Sequence, residues 1–138
     1  MNFPMNGYPV IRKRRNRRTA FIRSLTNEFN LSSKDLILPI FLVKGKNKKQ
    51  KIKSMDNVFR YSIDKAIEVL SSAFESGITT TILFPYVEPQ EKDLEASEAY
   101  NPKGLIQEAI TKIKLALPRL GIITDIALDP FTTHGHDG

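Results

Sequence analysis

Three short apolar runs separated by two amphipathic stretches constrain this chain more than any other feature. Leu36-Ile-Leu-Pro-Ile-Phe-Leu-Val43 is almost continuously apolar, Thr79 to Phe84 reads as a second strand, and Ile122 to Leu128 is a run of β-branched and aliphatic residues. Runs of this length, rich in β-branched residues, are strands covered on both faces. Pro39 disturbs the first, because proline has no N–H to give to a ladder. A bulge, or an outward-facing position without a partner, accommodates it. Between the runs lie two helical patterns. Ile63, Ala66, Ile67, Leu70, Ala73 and Phe74 share one face, with Ser62 as N-cap and Gly77 in the favoured C′ position. Leu105, Ile106, Ala109, Ile110, Ile113, Ala116 and Leu117 form the second stripe, which Asn101 and Pro102 open as N-cap and first residue. The order strand, helix, strand, helix, strand predicts a parallel βαβαβ sheet with right-handed crossovers.

The last apolar run is interrupted by Asp125, and a buried carboxylate is costly unless paired or hydrogen-bonded. It then enters a loop with Asp129, His134, His136 and Asp137. Polar side chains just past the C-terminal end of a strand are where α/β proteins place their chemistry. Three readings of this cluster stand side by side. Carboxylates and imidazoles without thiols suit a hard or borderline divalent cation, Mg²⁺ if oxygen ligands dominate. His134-Gly-His136 also has the spacing of the H-x-H zinc ligands of barrel hydrolases. Alternatively, the side chains only cap a helix and satisfy the loop's own polar groups. No G-x-G-x-x-G, G-K-[ST] or G-x-S-x-G follows any strand, which disfavours nucleotide-binding and serine-hydrolase chemistry.

Charge divides the chain. Residues 1–53 hold 14 Lys/Arg and 2 Asp/Glu, a balance of +12, whereas residues 54–138 hold 7 and 13, a balance of −6. The basicity therefore belongs to the N-terminal third. Residues 1–18 read as an arm: Pro4, Gly7 and Pro9 break regular structure, and six of the seven residues 12–18 are basic. Such a run is solvated, binds an anionic surface, or docks on a neighbouring subunit. With no aromatic interleaved between Val10 and Arg18, base stacking is disfavoured and nucleic acid is not the expected partner. Phe21, Leu25 and Phe29 then suggest a short helix over residues 19–29, and the lysine-rich residues 44–53 read as an exposed loop. No membrane partner is expected, because no apolar run reaches the ~18 residues that would span a bilayer. The absence of cysteine rules out disulfides and thiolate metal sites in this sequence, and with no secretory signal the cytoplasm is the expected compartment.

Several segments, taken together, resemble one known family. Asp-Ile-Ala-Leu-Asp-Pro-Phe-Thr-Thr-His-Gly-His-Asp-Gly (residues 125–138) is similar, almost without gaps, to the metal-loop segment of the δ-aminolevulinic acid dehydratases, or porphobilinogen synthases. Arg14-Arg-Asn-Arg-Arg18, Asp35-Leu-Ile-Leu-Pro-Ile-Phe41, Ser54-Met-Asp, Leu83-Phe-Pro85, Ser97-Glu-Ala-Tyr-Asn-Pro102 and Gly121-Ile-Ile-Thr-Asp125 resemble it too, in collinear order.

The resemblance implies the following expectations. The fold is the N-terminal βαβαβ part of a TIM (β/α)8 barrel: a basic arm over residues 1–18 precedes an incomplete barrel over residues 19–138, with three parallel strands and their helices. The family is a lyase of heme and tetrapyrrole biosynthesis that condenses two 5-aminolevulinate molecules to porphobilinogen. It works as a large homo-oligomer, an octamer, whose arms wrap neighbouring subunits. Asp125 matches an active-site aspartate that orients substrate amine or water. Zinc-type members bind their metal through three cysteines, at positions matching Ala127, Asp129 and Asp137. This sequence therefore resembles the cysteine-free class, which depends on Mg²⁺ or manages without zinc. Asp129 and Asp137 are the implied metal residues and His136 a further one, while simple hydrogen bonding within the site is the open alternative. The two Schiff-base lysines belong to later barrel strands, and no lysine here takes a matching position. The 138 residues alone are thus expected to be inactive. The alternative is a non-catalytic module that associates with full-length subunits through its arm.

Overall fold

Strand β1 (Ile37–Leu42) is the centre of the sheet and pairs in parallel on both sides. A computed structural model describes residues 11–137, so the first ten residues of the expected arm lie outside the described part. The chain divides into two compact units, Met1–Leu31 and Ser32–Gly138.

In the first unit a 3-10 turn, Arg14–Arg17, precedes helix α1 (Ala20–Leu25). The Thr19 hydroxyl caps α1 by accepting from the Ile22 N–H at 3.4 Å. The helix is shorter than the 19–29 pattern suggests. The Thr26 hydroxyl donates back to the Ile22 carbonyl at 2.9 Å, competing with the next helical turn. Phe21, Leu25 and Phe29 all remain exposed.

The second unit is a five-stranded sheet in the order β2-β3-β1-β4-β5. Four strands are parallel: β3 (Phe59–Tyr61), β1, β4 (Thr80–Pro85) and β5 (Gly121–Thr124). β2 (Lys49–Lys51) is antiparallel to β3 and forms one edge. The lysine-rich stretch expected to be only a loop thus contains an edge strand. Its lysines suit that position, since charge on an edge discourages pairing with another chain.

Pro39 sits within a central strand without breaking a ladder. Leu42 accepts from the Tyr86 N–H on the β4 side, and the Val43 N–H donates to Tyr61 on the β3 side. Odd-numbered positions of β1 therefore face β3. Pairing on that side covers only Phe41 and Leu42, so at Pro39 there is no acceptor waiting for an N–H.

Helices α2 (Ile63–Glu75) and α3 (Leu105–Ala116) pack on one face of the sheet. Ile40, Leu42 and Leu83 from the strands meet Ala66, Leu70, Ala109 and Ile113 from the helices, all fully or almost fully buried. The small Ala66 and Ala109 let the helices approach the sheet closely. Gly77, at φ +92°, ends α2 in a conformation that a side chain would strain. Ser62 stands at the N-cap position of α2 as expected, but its hydroxyl accepts from the Lys48 N–H at 2.8 Å and not from the helix, so it ties the edge hairpin to the helix start. The cap of α3 needs correction. The N-cap of α3 is Gly104, and Asn101, three residues earlier, accepts from the Lys103 N–H at 3.0 Å. The opposite face of the sheet differs from the expectation of cover on both sides. Phe41 and Phe84 stack there at 5.5 Å, and Ile37 is 52% exposed.

Leu83 is fully buried between sheet and helices, whereas Leu115 is 80% exposed. Leu83→Ala is expected to cost about 2–5 kcal/mol of unfolding free energy and Leu115→Ala within about 0.5 kcal/mol, read by urea denaturation.

Candidate functional site

The polar loop after β5 begins one residue past the strand. β5 ends at Thr124, so Asp125 stands outside the ladder and is exposed rather than buried within a strand. Its Oδ1 accepts from the Ala127 N–H at 3.1 Å, an Asx turn that bends the chain away from the sheet. Asp125 also lines a cleft of about 360 Å³ at the C-terminal ends of β4 and β5, with Phe84, Tyr100, Ile110, Leu128 and Phe131 among its walls. A carboxylate on an otherwise largely apolar cleft can orient an amine or a water. A larger groove of about 900 Å³ lies between α2 and α3, but it gathers none of the loop's Asp or His residues.

Beyond Asp125 the loop folds on itself. The Phe131 and Thr132 N–H groups both donate to the Leu128 carbonyl, at 2.8 and 3.2 Å. The Thr132 side chain is buried; its hydroxyl donates to the His136 carbonyl at 3.0 Å and accepts from the Gly135 N–H at 3.1 Å. Gly135, at φ +72°, reverses the chain so that the His134 and His136 rings stack at 6.0 Å. Asp137 Oδ1 accepts from the N–H groups of both Leu128 and Asp129, at 2.6 and 2.9 Å. These two amides, Asp129 first, hold the Asp137 carboxyl below the ordinary aspartate range.

This arrangement bears on magnesium. Mg²⁺ demands near-octahedral oxygen ligands at about 2.0–2.1 Å. Among the described residues, no three His, Asp or Glu side chains converge where they could hold an ion. The Asp137 oxygen nearest the loop already faces two N–H dipoles, whose positive ends oppose a cation. As folded, Asp137 Oδ1 is engaged by the loop's own amides, and Asp129, Asp137 and His136 do not gather into one ligand set.

A second layer, absent from the sequence reading, supports the loop from below. Lys44 follows β1, and its ammonium donates to Glu91 and, at 2.9 Å, to Glu98. Asn101 Nδ2 donates to the other Glu98 oxygen at 2.8 Å. Asn101 and then Lys44 hold the Glu98 carboxyl below its ordinary range, while Glu91 and Glu98 raise the Lys44 ammonium. Asp93 continues the chain of contacts. Its backbone forms a bridge with the loop, donating to the Phe131 carbonyl at 3.3 Å and accepting from the Thr133 N–H at 2.9 Å. The Asp93 carboxylate accepts from the Glu95 and Ser97 N–H groups, both at 3.0 Å. The acidic segment 88–98 is therefore a strut between the end of β1 and the loop after β5. Its run of acidic residues was the only sequence signal, and it gave no pairing with Lys44, one of six lysines in residues 44–53.

Comparison with known proteins sets this geometry in context. The family model described as delta-aminolevulinic acid dehydratase matches residues 10–138. A relative of that name from Bradyrhizobium diazoefficiens is 45% identical over 129 residues, covering 94% of this chain and 36% of the relative. One from Chlamydia pneumoniae is 46% identical over 127 residues, covering 92% of this chain and 38% of the relative. The chain thus spans a little over a third of the length of these relatives. Among solved structures, the delta-aminolevulinic acid dehydratase (porphobilinogen synthase) of Toxoplasma gondii, in complex with the reaction product porphobilinogen, superposes with a TM-score of 0.87. It is 36% identical, and the match covers 93% of this chain and 36% of that one.

The strut has a pH signature. A carboxyl depressed by folding contributes stability above its unfolded pKa, and that stability is lost as pH falls through the folded value. The thermal midpoint of the wild type is expected to exceed that of Glu98→Gln at neutral pH. The two curves should converge in acid, once Glu98 is protonated. Parallel curves across the acid range would show that the Lys44–Glu98–Asn101 contact carries no stability.

Proposed function

Because the chain belongs to the delta-aminolevulinic acid dehydratase family, we propose that it supplies one wall of a porphobilinogen synthase pocket. The reaction is the asymmetric condensation of two 5-aminolevulinate molecules to porphobilinogen, a cytoplasmic step of tetrapyrrole biosynthesis. The half-open face of the sheet, with Phe41 and Phe84, is then the interior of a TIM barrel, and the cleft beside Asp125 lies at its C-terminal mouth. The observation that carries this reading is the position of Asp125, one residue past β5. The residue sits at the ends of parallel strands, in a chain that superposes on a porphobilinogen-bound enzyme with a TM-score of 0.87.

Within the pocket, Asp125 orients the substrate amine or a water, its Oδ1 held by the Ala127 N–H and its residue lining the cleft. The condensation needs lysines that form Schiff bases, and a lysine attacks a ketone only as the neutral amine. Lys44 is past the end of a strand, but two glutamates raise its pKa and engage its protons, the reverse of what a nucleophile requires. Lys44 is a structural cation in this reading, and residues 1–138 by themselves are inactive. Assembly into a homo-oligomer follows the family, and the exposed Phe21 and Leu25, one turn apart on α1, offer an apolar stripe for such a contact. The same stripe favours a second reading, in which the chain binds full-length subunits without catalysis. Co-elution with intact enzyme on size-exclusion tests it, and separate elution ends it.

The catalytic reading is tested in a chimera in which residues 10–138 replace the matching segment of the Bradyrhizobium relative. The chimera is expected to form porphobilinogen, whereas the 138-residue chain alone is expected to form none above a no-enzyme control. In the chimera, Asp125→Asn is expected to lower kcat about 10²–10⁴-fold with unfolding unchanged. An Asp125→Asn chimera of full activity would remove Asp125 from the site, and turnover by the 138 residues alone would place a working nucleophile within them.

A further inference from the structure

We propose that Asp137 is the built-in closure of the loop after β5, so that the loop takes its working shape from its own hydrogen bonds with no ion bound. The inference concerns how the site is held and does not require the activity proposed above. Three observations support it. The Asp137 carboxylate accepts from two consecutive amides, Leu128 and Asp129, across nine and eight residues of chain respectively, which closes the segment into a ring. Consecutive N–H groups converging on one oxygen form a small anion nest, and a carboxylate fills it with charge-assisted bonds. The ring is filled from inside by Thr132, whose hydroxyl is engaged by Gly135 and His136 and whose residue is only 4% exposed. Finally, the ring is docked on the strut through the backbone pairing of Asp93 with Phe131 and Thr133.

The alternative chemistry for the same residues is a cation bridging Asp129 and Asp137. The observed geometry opposes it. Asp129 meets Asp137 through its backbone N–H. For a cation to bind Asp137 Oδ1, both amides would have to turn away, which opens the ring. Asp137 is thus a positioning residue: it fixes where Leu128 stands on the wall of the cleft that Asp125 lines. An acceptor oxygen at this position is what matters, so asparagine is expected to substitute where alanine does not.

The test is amide hydrogen exchange of the uniformly ¹⁵N-labelled chain, read by NMR with EDTA and then with millimolar MgCl₂. With EDTA, the Leu128 and Asp129 amides are expected to exchange at least about tenfold more slowly than an unprotected amide. Adding MgCl₂ is expected to leave them unchanged. Asp137→Asn is expected to retain most of the protection and Asp137→Ala to lose it, with the Ala66 and Ile113 amides of the core as a folding control. Protection that appears only with MgCl₂ would overturn the proposal, as would an Asp137→Ala chain protected like the wild type. The magnesium comparison uses the unaltered chain, so it decides the matter even if a variant fails to fold.

Discussion

The six-residue parallel pairing of β1 with β4 is the constraint on which the rest of the structure depends. From Ile37–Thr80 to Leu42–Pro85 it runs in a single register, so every residue of β1 has a partner in β4. A slip of β1 by one residue would send Ile40 and Leu42 to the open face and bring Phe41 against the helices, away from the side that Leu83 of β4 keeps. Burying the first set against α2 and α3 therefore fixes which face carries the aromatic pair. It also fixes where the two strands end. Their ends place Lys44 and Tyr86 side by side in the fold, and β5, paired to β4 from Thr80–Gly121 to Leu83–Thr124, ends beside them.

From that common edge the polar elements are built outward in layers. Lys44 anchors Glu91 and Glu98, Asp93 pairs with the loop, and Asp137 closes it. The Lys44 and Asp137 layers use charge-assisted hydrogen bonds at partly exposed positions, where geometry matters more than net energy, and the Asp93 layer is backbone pairing. Their combined effect is to hold Asp125 and Leu128 on one cleft without using the apolar core for the purpose. The division matches the needs of each part: the core supplies stability on the helix side, and the strand ends supply shape.

Strands β1, β4 and β5 and both long helices were legible because their signals are local. The apolar runs and the 3–4 spacing from Ile63 to Phe74 are each written within about a dozen residues. β2 and β3 were missed since three residues each, Lys-Gln-Lys and Phe-Arg-Tyr, carry no period of their own and are strands only through pairing. Asp125 was read as buried because the apolar run continues through Ile126, which is 93% exposed. Composition cannot reveal where a ladder stops. Asn101 looked like a helix cap, yet Gly104 takes that place, and Asn101 instead joins Glu98. The Lys44 pairs, 47 and 54 residues apart in sequence, lie beyond any local pattern. The candidate site was thus legible as a list of residues, whereas the contacts that hold it were not.

The account stands most directly on where the reaction product sits. In a crystal structure of the chimeric enzyme with porphobilinogen bound, the Asp125 carboxylate is expected within about 2.6–3.2 Å of a product amine or of one bridging water. Product seated away from the cleft walled by Phe84, Leu128 and Phe131, with Asp125 facing bulk solvent, would contradict it.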